Sequence, residues 1–352
     1  MVRALLTLVL LLVVSAVLIF QDAQTILSQP LQLTQKQHID VVQGKAFSAT
    51  LSQLSANNVF AARRGAFYLK VYARISGQAT SLKAGEYELV PGMNSLDFLA
   101  LIVSGKTVLH ELRLIEGWTF EQALASIRAN DELVHTLKTD DAEVIMAALG
   151  RSGIHAEGRF FPDTYFFPKG TTDEAFLRRA LAGMDTVLAQ EWEQREEGLP
   201  YQSPEQALVM ASIIEKETGA PSERAEVAGV FVRRLVMGMK LQTDPTVIYG
   251  IGKNFDGNLR RSDLEFDTPY NTYTRMGLPP TPICLPGRAS IHAALHPAKG
   301  DAIFFVARRD GTHQFSATLE QHNAAVNQFQ RSSKSQGKPA KAKDKQKSKG
   351  KN

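Results

Sequence analysis

Ser203-Pro-Glu-Gln-Ala-Leu-Val-Met-Ala-Ser-Ile-Ile-Glu-Lys-Glu-Thr-Gly219 is the stretch on which the fold of this 352-residue chain turns. Ser203 is a candidate N-cap, Pro204 suits the first helical position, and Gln206, three residues after the cap, completes a capping box. Gly219 and Pro221 supply the stop. Between those limits Ala207 to Ile214 carries a single hydroxyl, Ser212, and no charge, so the predicted helix belongs in a core. Its last turn is acidic. Glu215 continues the stripe of Leu208 and Ala211, and Glu217 that of Met210 and Ile213. Apolar neighbours and the negative end of the helix dipole both favour the neutral form of a carboxyl placed there. A carboxyl that keeps its proton near neutral pH is what general-acid chemistry needs; two acids fraying into water beside Lys216 is the plainer alternative. The helix by itself chooses neither between these readings nor between the two glutamates.

The balance of 44% hydrophobic and 22% charged residues is that of a globular chain long enough for two domains. Arg331 to Asn352 alone carries +8 against a total of +4, so the rest of the chain is at −4. That excludes a nucleic-acid-binding body, which would need a basic face and not a basic tail. A single cysteine, Cys284, rules out an intrachain disulfide. His292 and His296 have a helical i, i+4 spacing but lack the intervening glutamate of zinc peptidases, so neither a metal site nor a cofactor is expected.

Ala4 to Phe20 is uncharged and long enough to span a bilayer, with Arg3 before it and Asp22 after it. The positive-inside rule leaves the amino terminus in the cytoplasm and the rest of the chain beyond the membrane. Residues 1–20 thus read as an uncleaved anchor in preference to a cleaved signal peptide, because the apolar run is long and no small-x-small cleavage site follows it, and 21–39 read as a Gln-rich spacer, with folding beginning near Val41. A strand, tight turn and helix pattern repeats at Gly44, Gly92 and Gly117, with another helix over Phe67 to Ile75. These features define a small α/β module over 40–130. Helix is predicted for Leu133 to Leu149, Thr172 to Gln194 and Ser222 to Val236, around the Ser203 helix. From Lys240 the chain turns Pro-rich, with Asp244 and Pro245 opening a short helix and Tyr, Asn, Gln and Asp on stiff loops that suit sugar recognition. Ile303 to Val306 reads as a strand, Phe315 as its partner, and Leu319 to Phe329 as a closing helix. The fold class is α+β: a transmembrane helix, the small module, and a mainly helical domain over 131–330 with a short sheet. The Lys-rich tail, 331–352, is predicted to be disordered.

Glu157-Gly-Arg-Phe-Phe-Pro-Asp-Thr-Tyr165, Leu241-Gln-Thr-Asp-Pro-Thr-Val-Ile-Tyr249, Tyr270-Asn-Thr-Tyr273 and Ala211 to Thr218 together resemble the YceG-like (MltG-type) family of membrane-anchored endolytic murein transglycosylases. The likeness covers most of residues 40 to 330. It implies that the small module is a LysM-like peptidoglycan binder and that 131–330 is a lytic transglycosylase domain. The implied reaction cleaves the β-1,4 bond between N-acetylmuramic acid and N-acetylglucosamine without water and leaves 1,6-anhydro ends, terminating strand growth. In that family the first glutamate of the Glu-Lys-Glu-Thr run is taken as the acid, which maps onto Glu215. Gln242, Thr243, Asp244, Tyr270, Asn271 and Tyr273 are the expected sugar-holding residues. Glycan strands, the inner membrane and peptidoglycan synthases are the implied partners, with the catalytic domain periplasmic. Two other readings stand beside this one: a hydrolytic muramidase pairing Glu215 with Asp244, and a non-catalytic wall-binding anchor.

Overall fold

The computed structural model describes residues 2–42 and 47–331, so the expected turn at Gly44 and the tail beyond Arg331 lie outside the described residues. The chain divides into two compact units. The first comprises Met1–Leu112, Asn130–Val134 and Tyr165–Thr172; the second comprises Arg113–Ala129, His135–Thr164 and Asp173–Asn352. Of the small module expected over 40–130, residues up to Leu112 lie in the first unit and Arg113–Ala129 in the second. The physical reason is that the chain after 113 is bonded into the second unit: Gly117 N–H donates to the Leu285 carbonyl at 2.9 Å, and the Phe120 ring stacks on Phe160.

In the first unit α1 (Val2–Ser28) is, among the described residues, the one helix long and apolar enough to cross a membrane. It outruns the predicted span. Its last turns bury Ile26 and Leu27, and Asp22 accepts hydrogen bonds from Arg64 at 2.9 Å and the Tyr68 hydroxyl at 2.7 Å. Residues 21–39 are thus no free spacer, because Leu27, Leu31, Leu33 and Ile39 join a core with Leu51, Leu69 and Phe98. β1 (Gln37–Val41), α2 (Phe47–Ala56), α3 (Gly65–Ile75) and β2 (Gly85–Leu89) follow, the two strands antiparallel with Ile39 opposite Tyr87. Gly92, at φ +90°, turns the chain into α4 (Ser95–Ser104), which starts with a reciprocal capping box between Asn94 and Asp97. β3 (Leu109–Arg113) pairs with β4 (Thr164–Pro168) in a second two-stranded sheet.

The second unit opens with Gly117 at φ +79°, another predicted turn, into α5 (Phe120–Arg128). The helix expected over 133–149 shrinks to α6 (Ala142–Ala148), capped by Asp141. The preceding residues are held off helical geometry because the Thr136 and Leu137 N–H groups donate to the Asp173 carboxylate. Three long helices, α7 (Asp173–Glu193), α8 (Pro204–Glu217) and α9 (Arg224–Val236), make the core. α8 buries every residue from Ala207 to Ile214, as its composition requires. Its expected capping box does not form: Gln206 accepts the Gln202 N–H at 2.8 Å, and the Ser203 side chain makes no cap bond. α10 (Asp244–Ile251) and the short α11 (Arg261–Glu265) punctuate the Pro-rich loops, and α12 (Arg288–Leu295) packs on α8, its Ile291 and Leu295 joining the core that holds Leu208 and Ala211. The hairpin of β5 (Phe304–Ala307) and β6 (His313–Ser316) and then α13 (Leu319–Val326) follow.

Candidate active site

The last turn of α8 points its two carboxylates at different surroundings, because two residues advance the helix by about 200°. Glu217 lines a cavity of about 590 Å³ together with Gln242, Asp244, Tyr273, Arg234 and His313. The Thr243 hydroxyl donates to Glu217 Oε2 at 2.8 Å. Burial pushes the Glu217 carboxyl above its ordinary range and nearby Asp244 adds to the rise, while the Thr243 bond, His313 and Arg234 pull the other way. Tyr273 donates its hydroxyl to Asp244 Oδ1 at 2.5 Å, which fixes the carboxylate at the start of α10. Gln242 sits at φ +51°, one of two non-glycine residues at positive φ among those described, and its N–H donates to the Thr272 carbonyl. Backbone in that sparsely allowed region is enriched at functional sites.

Glu215 meets other groups. Its Oε2 accepts the Gly287 N–H at 2.9 Å, at the amino end of α12, and its Oε1 lies 3.7 Å from the Arg224 guanidinium. Its side chain is only 7% exposed, so both oxygens are turned to donors of the protein itself. A Cβ on Gly287 would lie 1.9 Å from Glu116 Oε1, so a larger residue there would have to displace the exposed Glu116 side chain.

The expected sugar-holding residues therefore divide. Gln242, Asp244 and Tyr273 gather around Glu217. Thr243 and Asn271 are interior: Thr243 bonds Glu217 and Thr272, while the Asn271 amide donates to the carbonyls of Asp263, Leu264 and Phe266 and its oxygen accepts the Tyr273 N–H. Tyr270 belongs to a different cavity, its hydroxyl 2.8 Å from Thr281 Oγ1 and its ring edge-on to Tyr249. Arg234 and His313 were missed by sequence reasoning, since an arginine in a helix's last turn and a histidine just after a hairpin's turn are ordinary surface signals. Here Arg234 is interior, donating to the Ile303 and Leu241 carbonyls, and Glu223 holds His313 Nδ1 at 2.8 Å.

Residues 39–328 match the model of the YceG-like family. This chain belongs to that family. A Bacillus subtilis relative named endolytic murein transglycosylase is 32% identical over 309 residues, 83% of this chain and 84% of the relative. A Streptococcus pneumoniae relative with the same name is 29% identical over 288 residues, 70% of this chain and half of that longer protein. The crystal structure of a YceG-like protein from Listeria monocytogenes aligns with a TM-score of 0.52 at 34% identity, over 83% of this chain and 99% of that one.

A second acid of the YceG-like chain is raised by burial. Glu157 lines the cavity of about 830 Å³ that holds Tyr270, and burial raises its carboxyl to about 7, against the opposing bonds from Phe120 N–H and the Tyr249 hydroxyl. A carboxyl raised in the folded state contributes its full stability below the unfolded value and loses it as pH climbs through the folded one. Thermal unfolding from roughly pH 5 to pH 8 is thus expected to show a decline of up to about 3 kcal/mol from this group. Glu157→Gln should flatten that decline; an unaltered slope would assign it to other groups.

Proposed function

We propose that this YceG-like protein is an endolytic murein transglycosylase whose acid is Glu217. The observation that carries the proposal is the meeting, in one cavity, of a carboxyl raised by burial with Gln242, Asp244 and Tyr273. Such a carboxyl keeps its proton closer to neutral pH and gives it to the glycosidic oxygen as the bond to C1 of N-acetylmuramic acid breaks. The resulting carboxylate then takes the proton from that sugar's 6-hydroxyl as its oxygen closes on C1, giving the 1,6-anhydro end. No second carboxylate has to activate water, and Asp244, bonded to Tyr273, serves to hold sugar hydroxyls. Glu157 is less suited, because its two oxygens already accept from Phe120 and Tyr249.

Glu215 remains the second reading, favoured by its match to the family's motif and by its place beside Arg224, which lines a cavity of about 780 Å³. A muramidase pairing Glu215 with Asp244 has less support, since Asp244 shares its cavity with Glu217. Mass spectrometry of glycan strands cut by the purified protein tests the reaction: anhydro ends are expected. Reducing ends would make it a hydrolase, and uncut strands would leave the wall-binding anchor.

The same reading extends to the first unit. Two antiparallel strands with α2 and α3 between them in sequence are the order a LysM-like peptidoglycan binder uses, so this unit is proposed to grip the strand or a synthase that makes it. Arg3 before the apolar run of α1 and Asp22 after it support the proposal that the amino terminus is cytoplasmic and the enzyme on the periplasmic side of the inner membrane. A reporter active only outside the cytoplasm, fused after Gln330, is expected to be active; a silent fusion would overturn both location and access to the wall.

A further inference from the structure

His292 and His296 stand four residues apart at the end of α12, and the sequence offers no third ligand beside them. The tertiary structure supplies one from α7. Glu191 is 7% exposed, its Oε2 lies 2.8 Å from His292 Nδ1, and one ligand atom from each of Glu191, His292 and His296 lies within 4.8 Å of the other two. His296 Nε2 is buried with no hydrogen-bond partner among the described residues. An imidazole nitrogen in that state is an unfilled acceptor or donor, costly unless something meets it.

We propose that Glu191, His292 and His296 form a site for a divalent transition metal, with Zn²⁺ the cation that best fits. Two imidazoles and one carboxylate are a borderline donor set that suits Zn²⁺, whereas Mg²⁺ and Ca²⁺ take oxygen ligands. The three side chains line the cavity of about 780 Å³, which leaves room for a water or an anionic group at a fourth position. That cavity also carries Glu116 and Asp163, so its carboxylates outnumber its two guanidiniums, Arg224 and Arg288. Arg288 Nη1 donates to Glu191 Oε1 at 2.8 Å, which orients the carboxylate and leaves Oε2 toward the histidines. The two rings stack with centroids 4.2 Å apart, and His292 Nδ1 faces Glu191 Oε2 at hydrogen-bond distance. Binding exchanges that hydrogen bond for two metal bonds at about 2.0–2.2 Å and gives His296 Nε2 its partner.

The experiment is calorimetric titration of Zn²⁺ into the full-length, detergent-solubilised protein after chelator treatment, so the readout is binding and not turnover. One saturable site is expected, weakened by at least about tenfold in His292→Ala and in His296→Ala, with no saturable heat from Mg²⁺. Thermal unfolding of each variant establishes that it is folded; His292 is exposed, so its replacement disturbs little packing. The proposal fails if the wild-type protein shows no saturable binding at submillimolar Zn²⁺, or if the His292→Ala/His296→Ala double variant binds Zn²⁺ as the wild type does. Neither result bears on the glycan chemistry at Glu217, which is read by its products.

Discussion

Glu217→Gln is expected to lower turnover on glycan strands by about two to four orders of magnitude while leaving the fold intact. The amide keeps the size of the side chain and can still accept the Thr243 hydroxyl now held at 2.8 Å, but it has no proton to transfer. It also removes a carboxyl that burial and Asp244 both disfavour in charged form, so thermal stability above neutral pH should hold or rise slightly. Glu215→Gln is the necessary companion. It replaces the charged acceptor that faces Arg224 while keeping an oxygen for the Gly287 N–H, so its main expected cost is in stability, about 1–3 kcal/mol. Turnover and unfolding measured on both variants separate the two glutamates. A stable, inactive Glu215→Gln beside an active Glu217→Gln would return the acid to Glu215 and remove the role assigned to the Glu217 cavity.

Asp173→Ala should be among the most destabilising single changes in the second unit, by about 3–5 kcal/mol. The carboxylate is 1% exposed and opens α7. It accepts from the N–H groups of Thr136, Leu137 and Glu174 and from the Thr136 hydroxyl, and it pairs with Arg128 at 2.7 Å. Alanine would leave those donors and a half-buried guanidinium without their acceptor. Burial acts to raise the Asp173 carboxyl, but the hydrogen bonds outweigh it and hold it below the ordinary aspartate value. The linkage sign then follows: a depressed group gives its full stability above the unfolded value, near about 3.9, and loses it as pH falls toward the folded one. Chemical denaturation at pH 7 and at low pH checks this. The gap between wild type and Asp173→Ala should narrow in acid, and a gap that is small at pH 7 would mean the 135–141 segment is held by other contacts.

These expectations draw on two kinds of information. The sequence by itself determined what depends on neighbours along the chain. The uncharged run from Ala207 to Ile214 required a buried helix, the glycines at 92 and 117 required turns, and the apolar run after Arg3 required a helix able to span a bilayer. Motif runs such as Leu241 to Tyr249 carried the family resemblance, and the comparison over residues 39–328 bears the family out. Local pattern failed where a distant side chain competes for the backbone. Asp173 takes the N–H groups that a helix before residue 142 would have used, and Gln206 bonds Gln202 in place of closing a box on Ser203.

What surrounds each carboxylate was decided only in three dimensions. Glu215 and Glu217 are chemically identical and two residues apart, and no property of the sequence tells which of them meets Gly287 and Arg224 and which meets Thr243 and Asp244. The partners come from 9 to 72 residues away, and their contribution depends on distance and desolvation, which spacing along a chain does not encode. The same holds for Glu191, which reaches His292 across 101 residues: a helical His pair is visible in sequence, but the ligand that completes it is visible only in the packing of α7 on α12.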